Sequence, residues 1–240
     1  MVIEQISDRK IKIILGEQID IVSNIRINRI VSLIKERFPD CINTIIAYSS
    51  AYCEFASGID MDELRRIFDS FVEEEPDLKM KIVVKEIPVC YDEEFSPDRD
   101  FVESYTGLSF EDVVRIHTER IYYIYFLGFL PGFPYLGGLD KRIHIPRRKE
   151  PRLLVKAGSV GIGGVQTGIY PLDSPGGWQI IGRTPIKLFD KKRKEPFLLK
   201  SSEGVLFKKI DKKEFDEILK DEGFRLNSFT VELKEVIYHD

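Results

Sequence analysis

The chain contains few of the residues that build metal sites or disulfide frameworks. Its 240 residues include only three cysteines and three histidines. The cysteines are odd in number and show no CxxC spacing, so the sequence suggests neither a disulfide framework nor a zinc knuckle. The histidines share no ligand spacing either. We therefore predict no metal site.

An excess of positive charge is also absent. Lysine and arginine number 36 against 40 aspartates and glutamates, which gives a net charge of -4 and an isoelectric point near 5.6. A nucleic-acid-binding surface neutralises phosphates and needs a surplus of lysine and arginine. The composition therefore predicts no nucleic-acid partner.

Long hydrophobic runs are missing as well. The most apolar run, residues 121–130, is followed at once by Pro131 and is far shorter than the roughly 20 residues that span a bilayer. Residues 1–16 alternate charged residues with isoleucine and contain no apolar core of a signal peptide. We expect a cytoplasmic protein with no membrane partner.

Glycine divides the chain into two parts. Of its 17 glycines, only Gly16 and Gly58 come before residue 88. The first part has the predicted order β-α-β-β-α-β, which is typical of a small split βαβ sandwich. The second part has many short strands separated by Gly and Pro, which indicates a β-barrel or sandwich. We therefore predict a mixed α+β and all-β chain with an N-terminal α/β domain, residues 1–87, and a barrel domain, residues 88–240.

The periodicity of hydrophobic residues and the helix-capping residues set the predicted elements. Helices are predicted over residues 24–38, 60–76, 98–106, 109–118 and 212–222. Strands are predicted over residues 10–15, 42–55 with a turn at 48–50, 79–87, 122–129, 143–145, 153–155, 160–162, 166–170, 178–182, 186–189, 205–209, and at a sheet edge over 228–236.

Residues 164–185, GVQTGIYPLDSPGGWQIIGRTP, combine five glycines and three prolines with the only tryptophan and several hydrogen-bonding side chains. A structural loop seldom needs so many polar side chains between its glycines. The stretch is therefore predicted to line a polar site or a shared interface, with Trp178 anchoring it from the barrel core.

Two short motifs before this stretch have competing interpretations. Ser159 lies in an A-x-S-x-G pattern related to the nucleophile elbow, but the residues after it do not begin a helix, which favours a plain turn. Residues 158–164 are rich in glycine, yet they match neither GxxxxGK[ST] nor GxGxxG. They either bend a barrel corner, which we favour, or cradle an anion with backbone N–H groups.

His117 is the best acid–base or anion-binding candidate among the histidines. It ends a predicted helix, where the helix C-terminus would raise its pKa and stabilise the imidazolium. A structural role at the helix end is an equal alternative. The aromatic run over residues 122–135 belongs either to the core or to the wall of a pocket or partner surface.

Several ungapped motifs together resemble the 5-oxoprolinase B-subunit family, also called allophanate hydrolase subunit 1, which includes a Kip-type inhibitor of a sporulation histidine kinase. These motifs are FLGFLPGFPYLGGLD at 126–140, IPRRKEPRLLVKAGSVGIGG at 145–164, the stretch at 164–185, and LFD at 188–190. The resemblance spans roughly residues 8–210. Lys156 departs from it because the family usually has Pro there, and Asp92–Glu93 replaces a usual Gly pair.

This resemblance implies an N-terminal α/β domain followed by a cyclophilin-like β-barrel. It also implies a B subunit that acts with the C and A subunits of 5-oxoprolinase, using ATP with Mg²⁺ as co-substrate, to cleave 5-oxo-L-proline to L-glutamate. No bound prosthetic group is implied. The alternatives are a protein inhibitor of a histidine kinase and a component of a urea or allophanate pathway.

Such a reaction needs cations and fixed donors around phosphate and a developing oxyanion. On this hypothesis arginines bind carboxylate or phosphate, His117 orients or protonates the substrate, and glycines let the backbone come close. The predicted catalytic residues are His117, Arg147 and Gln166, and the predicted substrate-binding residues are Arg152, Thr167, Tyr170, Arg183, Gly163 and Gly164.

Overall fold

The computed structural model describes residues 2–16, 19–69 and 77–237. The chain forms two compact units, Met1–Met80 and Lys81–Asp240. None of the described helices is long and apolar enough to cross a membrane. The α-helices are α1 Ile21–Arg37, α2 Met61–Asp69, α3 Arg99–Thr106, α4 Phe110–Thr118 and α5 Lys212–Lys220. The strands are β1 Val2–Ser7, β2 Lys10–Ile14, β3 Cys41–Ala47, β4 Ser50–Phe55, β5 Lys81–Cys90, β6 Ile121–Leu127, β7 Pro134–Gly137, β8 Arg152–Val155, β9 Ser159–Gly163, β10 Gln166–Ile169, β11 Ser174–Gly176, β12 Gln179–Arg183, β13 Gly204–Ile210 and β14 Ser228–Glu232.

The first unit is an antiparallel sheet in the order β1-β2-β4-β3 with helices α1 and α2 packed against it. Asp20 caps α1 by accepting a hydrogen bond from the backbone N–H of Ser23 at 2.7 Å. The predicted helix start at Asn24 was therefore late. Asn24 is instead buried, and its amide donates to the carbonyl of Tyr48 at 2.6 Å. The predicted end of α2, over residues 70–76, lies outside the described residues.

One predicted strand belongs to the other unit. The strand at residues 79–87 was assigned to the first domain, but β5 pairs in parallel with β13 and antiparallel with β14 in the second unit. The division between the units consequently falls after Met80 rather than after residue 87. Alternation of apolar residues predicted the strand correctly. It could not predict which sheet would bury those residues, because that depends on partners over 100 positions away.

The second unit contains a closed barrel. Seven strands follow one another in the order β12-β9-β10-β7-β6-β13-β5, and a pairing between β12 and β5 closes the ring. Strand β14 adds to β5 as the predicted edge strand. Strands β8 and β11 form a separate two-stranded sheet. The barrel prediction is confirmed, and full closure leaves few free strand edges.

Two of the predicted short strands do not form. Residue 143 instead ends a 3₁₀ turn over Lys141–Ile143, and Ile145 forms a single bridge with Gly164. Residues 186–189 form only one bridge, between Phe189 and Phe197. Both segments are too short for the sequence pattern to separate a strand from an apolar loop that packs against a barrel.

Apolar side chains fill both faces of the barrel wall. The barrel interior is lined by residues such as Ile162, Ile181 and Phe207. A second cluster is formed by Phe133, Val155, Tyr170, Trp178 and Ile180. Ile180 of the second cluster pairs with Gly161, whose neighbours in β9, Val160 and Ile162, belong to the first cluster, and successive residues of a strand face opposite sides. The second cluster therefore covers the outer face of the wall.

Candidate functional site

Trp178 occupies the outer face of the barrel wall above a row of glycines. A Cβ atom at Gly163 would lie 2.6 Å from three atoms of the indole, and one at Gly168 would lie 2.9 Å from it. No side chain larger than hydrogen fits at either position while the indole stays in place. The predicted anchoring role of Trp178 is confirmed, since the ring is 5% exposed in a buried apolar cluster, but that cluster lies on the outer face of the wall and not in the barrel interior.

Arg147 covers this indole. Its guanidinium carbon lies 5.7 Å from the centre of the Trp178 ring, within cation–π range. The side chain is exposed, and it has no ion-pair partner in the part of the chain that the structure describes. Its charge also acts on Tyr135 nearby, opposing the burial that raises the pKa of that phenol. Arg147 is therefore a positive group available to a ligand.

Two further arginines are held in place by one buried carboxylate. Asp98 Oδ1 accepts hydrogen bonds from Arg148 Nη1 at 3.0 Å and from Arg152 Nη2 at 2.6 Å. Its second oxygen accepts from the backbone N–H of Ile180 at 2.6 Å. Arg152 Nη1 is buried and has no hydrogen-bond partner among the described residues. Arg152 is thus fixed in position, and the two N–H groups of its Nη1 have no acceptor among the described residues.

Gln166 and Tyr170 lie on the same outer face of the barrel wall as Trp178. Gln166 pairs with Gly163 in the antiparallel ladder of β10 and β9, so its side chain shares the face that Trp178 covers. Tyr170 is buried against Phe133, with ring centres 5.3 Å apart. Burial raises the pKa of its phenol, and a hydrogen bond to the backbone of Trp178 opposes this shift. We call the group of Arg147, Arg152, Gln166, Tyr170 and Trp178 the outer-wall site.

His117 and Thr167 lie on the opposite face of the wall, inside the barrel. His117 is 0% exposed and stacks on Phe207, with ring centres 4.5 Å apart. Its Nε2 lies 2.9 Å from the hydroxyl of Thr167, and its Nδ1 lies 2.9 Å from the hydroxyl of Tyr91. The Thr167 hydroxyl donates its proton to the carbonyl of Gly161 at 3.0 Å. It must therefore accept from Nε2–H, which leaves Nδ1 to accept from Tyr91.

The predicted raised pKa of His117 was wrong. Complete burial lowers its pKa from 6.5 to about 3. The helix C-terminus favours the imidazolium by about 1 kcal/mol, which is much less than the cost of removing a charged ring from water. His117 is therefore a neutral, fully hydrogen-bonded core residue, and neither it nor Thr167 reaches the outer-wall site.

Arg183 is also separated from the outer-wall site. It ends strand β12, five residues after Trp178, which corresponds to about 16 Å along an extended chain. Its Nε donates to the carbonyl of Ala157 at 2.9 Å, and its guanidinium lies 5.9 Å from the ring of Phe95. Arg183 stabilises the turn before β9 and packs on a different aromatic ring from Arg147.

The glycine-rich residues 158–164 form strand β9 with a glycine corner at each end, at Gly158 and at Gly164. The backbone N–H groups of Gly158, Ser159 and Gly164 donate to the carbonyls of Tyr170, Lys156 and Ile145 at 2.7, 3.1 and 2.8 Å. These donors are therefore not available to an anion, which favours the corner over the phosphate cradle. Gly158 and Gly164 have φ angles of 84° and 70°, where glycine carries the smallest penalty.

Ser159 and Lys156 take no part in a site. Ser159 is buried within strand β9 and is not followed by a helix, so it lacks the setting of a nucleophile elbow. Lys156 pairs with Asp173 at 3.0 Å, and the same carboxylate accepts the backbone N–H of Ala157 at 2.7 Å. The positive charge that Lys156 adds where the family usually has Pro is therefore neutralised by Asp173.

Sequence reasoning missed Asp98 and Tyr135. Asp98 was assigned only to the start of a helix, and nothing in the sequence connects it with Arg148, 50 positions later. Tyr135 was one of several rings in an aromatic run. Among the described residues, no cluster of three or more potential ligands could hold a metal ion. A surface cleft of about 210 Å³ lies elsewhere, between Tyr91, Arg99 and Lys209, and contains none of the predicted site residues.

Comparison with known proteins agrees with this architecture. Residues 1–199 match the family model of the carboxyltransferase domain, subdomain C and D. The chain is 40% identical to the 5-oxoprolinase B subunit of Bacillus subtilis over 226 residues, covering 89% of this chain and 94% of that protein. It is 57% identical to the same subunit of Escherichia coli O157:H7 over 122 residues, 51% of this chain and 56% of that protein.

Solved structures support the fold. The crystal structure of TTHA0988 is 34% identical, with a TM-score of 0.73, and the match covers 85% of this chain but 40% of that one. The Kluyveromyces lactis urea carboxylase, 23% identical with a TM-score of 0.76, matches 95% of this chain and 24% of its own, and supports the fold alone. The predicted α/β domain and barrel are thereby confirmed. Together with the family model and the Bacillus relative, these matches show that the chain belongs to the 5-oxoprolinase B-subunit family of carboxyltransferase subdomain C and D proteins.

Proposed function

We propose that this chain is the B subunit of an ATP-dependent 5-oxoprolinase that acts with the C and A subunits to cleave 5-oxo-L-proline to L-glutamate. The names of the relatives from Bacillus subtilis and Escherichia coli support this assignment. The observation that carries it is the outer-wall site, where the exposed guanidinium of Arg147 and the free Nη1 of Arg152 accompany a buried glutamine.

The charge of this site suits a small carboxylate. Arg148 and Arg152 share the single carboxylate of Asp98, and Arg147 lies over Trp178 without a carboxylate partner among the described residues, so these three arginines exceed that carboxylate by two positive charges. Guanidinium groups bind carboxylates through short, charge-assisted hydrogen bonds. Arg147 and Arg152 would bind the carboxylate of 5-oxoproline, and the amide of Gln166 would donate to an oxygen of the lactam or of a phosphoryl group.

The chemistry requires activation of a stable amide. Resonance makes the lactam a poor target for water, and phosphorylation of its oxygen by ATP creates a good leaving group. Fixed cations and donors stabilise the charge that develops in such a step. The N–H groups of the glycine corner are already bonded to carbonyls, so ATP with Mg²⁺ is assigned to the whole complex rather than to that loop.

The test uses the chain copurified with the C and A subunits and measures ATP hydrolysis that depends on 5-oxoproline. Loss of one charged hydrogen-bonding partner costs about 1.5–3 kcal/mol, so Arg147→Ala is expected to lower kcat/KM about tenfold or more. Lys149→Ala, which removes an exposed cation two residues away, is the matched control and is expected to change little. An Arg147→Ala complex as active as the control would contradict the assignment.

A urea-pathway role is the second candidate. The chain is 32% identical over 148 residues to the urea amidolyase of Lachancea kluyveri, a match that covers 8% of that protein. A screen of the same complex with urea, allophanate and lactams separates the two substrates. The histidine-kinase inhibitor stays a prediction, and a pull-down with the dimerising domain of the kinase would test it.

A further inference from the structure

The cleft of about 210 Å³ shares no residue with the outer-wall site and lies where the residues after β5 meet the beginnings of α3 and α4 and the end of β13. Its apolar lining is formed by Tyr91, Phe110 and Val114, which are 2–4% exposed. The Tyr91 hydroxyl is hydrogen-bonded to His117 Nδ1 at 2.9 Å, which fixes this lining in place. The other lining residues carry charge, and they are Asp92, Glu93, Arg99, Glu111 and Lys209. We call these lining residues together the charged cleft.

Arg99 presents a guanidinium to the charged cleft. Its guanidinium carbon lies 5.0 Å from the centre of the Phe110 ring, within cation–π range. Its Nε lies 3.9 Å from Glu103 Oε1, and that oxygen accepts the backbone N–H of Phe110 at 2.8 Å. The guanidinium forms no hydrogen bond within the part of the chain that the structure describes. Because the ring attracts the charge through its face, the N–H groups of Arg99 stay available to a carboxylate.

Two carboxylates without a cation partner line the same cleft. Asp92 and Glu93 are exposed, and neither forms an ion pair with another described residue. Lys209 Nζ donates to Glu111 Oε1 at 2.7 Å, and an ammonium has further N–H groups for a second acceptor. Arg99 makes no ion pair with Asp92 or Glu93, although all three residues line one concave surface. A molecule that carries both signs of charge would therefore satisfy both walls of the cleft.

The size of the cleft limits what it can hold. Pockets for drug-sized molecules have volumes of about 300–1,000 Å³, so a cleft of about 210 Å³ suits a smaller molecule of amino-acid size. We propose that the charged cleft binds a free acidic amino acid, L-glutamate. Its ammonium would lie at Asp92 and Glu93, and its two carboxylates would accept hydrogen bonds from Arg99 and Lys209. Its aliphatic carbons would lie against the apolar lining.

The charges of the cleft separate the product of the proposed reaction from its substrate. The choice of L-glutamate rests on the proposed function, because that reaction releases it. L-Glutamate carries an ammonium at neutral pH, whereas the lactam nitrogen of 5-oxoproline is an uncharged amide. Asp92 and Glu93 would therefore favour the product. The chain would then bind substrate and product at two separate sites.

The test measures binding of L-glutamate to the full chain by isothermal titration calorimetry. Arg99→Gln is expected to raise the dissociation constant about tenfold or more, because it removes a charged hydrogen-bonding partner of a carboxylate. Glu94→Gln is the matched control, since Glu94 follows Glu93 but pairs with Lys212 at 3.7 Å and does not line the cleft. Circular dichroism confirms that each variant is folded.

A second ligand tests the role of the two carboxylates. Glutarate has the same two carboxylates as L-glutamate and lacks the ammonium. The double variant Asp92→Asn, Glu93→Gln is expected to weaken the binding of L-glutamate about tenfold or more and to leave the binding of glutarate equal or stronger. Equal weakening of both ligands would show that these carboxylates do not hold an ammonium, and it would overturn the proposal.

The outcomes distinguish this site from the outer-wall site and from the proposed function. L-Glutamate binding that survives Arg147→Ala and Glu94→Gln, and that Arg99→Gln weakens, supports the charged cleft. Binding that Arg147→Ala abolishes and Arg99→Gln leaves unchanged places the product at the outer-wall site and overturns the inference. A wild-type chain that does not bind L-glutamate also overturns it. Neither result changes the proposed function, which is decided by ATP hydrolysis of the complex that depends on 5-oxoproline.

Discussion

The buried imidazole of His117 makes the stability of the barrel depend on pH in mildly acidic solution. In the folded protein its pKa is lowered from 6.5 to about 3 by complete burial. In the unfolded chain the imidazole returns to its ordinary pKa and binds a proton below pH 6.5. Between these two values the unfolded state holds more protons than the folded state. The free energy of unfolding therefore falls as the pH falls from about 6.5 towards 3.

The size of the effect follows from the shift. A pKa change from 6.5 to about 3 corresponds to roughly 5 kcal/mol in total, at 1.36 kcal/mol for each pH unit. Between pH 7 and pH 5 the expected loss from this one residue is about 2 kcal/mol. This is a large fraction of the 5–15 kcal/mol that stabilises a typical domain.

The assay is urea unfolding followed by tryptophan fluorescence at pH 7 and pH 5. Trp178 is the only tryptophan of the chain and lies in the second unit, so it reports on the barrel. The variant His117→Gln keeps an amide donor towards Thr167 and an acceptor towards Tyr91, and it cannot titrate. We expect the variant to lose about 2 kcal/mol less than the wild type between the two pH values. Equal losses would refute the burial of a neutral imidazole.

Two further predictions concern the outer wall. Gly163→Ala places a methyl group 2.6 Å from the indole of Trp178, so we expect it to destabilise the barrel by about 1–3 kcal/mol and to shift the tryptophan emission. Gly177→Ala, whose Cβ would make ordinary contacts from 3.7 Å, is the control, and equal stability of the two variants would contradict the packing. Asp98→Ala leaves Arg148 and Arg152 without their carboxylate, so we expect it to lower the free energy of unfolding by about 3–5 kcal/mol and to raise the KM for substrate. An unchanged urea midpoint and an unchanged KM would show that Asp98 does not position Arg152.

Local signals predicted much of the secondary structure. A helix was predicted over residues 109–118, and α4 begins there with the hydroxyl of Ser109 accepting the backbone N–H of Asp112 at 3.2 Å. The turn at residues 48–50 was expected inside a long apolar run, and it connects strands β3 and β4. Caps and turns depend on residues within a few positions of one another, so one sequence contains all the information that they need.

Long-range relationships were beyond the sequence pattern. The face of strand β10 on which a side chain lies determines whether that residue belongs to the outer-wall site. Gln166 faces outward and belongs to it, whereas Thr167 faces His117 in the core and does not. Alternation predicts that neighbours differ, but it does not tell which face lies inside a closed barrel when both faces are apolar. For this reason the sequence grouped His117 with Arg147, and the structure separates them.

The abundance of glycine in residues 164–185 has a physical explanation that differs from the predicted one. Glycines were expected to let a substrate approach the backbone, yet Gly168 of the stretch, with Gly163 just before it, leaves room for the indole of Trp178, and Gly176 leaves room for the ring of Tyr170. The indole of Trp178 packs against these glycines and is only 5% exposed, and the guanidinium of Arg147 lies over the ring. The arginine then keeps its hydrogen-bond donors for a ligand, because the ring face attracts its charge without accepting its N–H groups in conventional hydrogen bonds. Residues 164–185 thus contribute to the outer-wall site by supporting the cation of Arg147. The charge that a ligand would meet there belongs to Arg147, which lies outside this stretch.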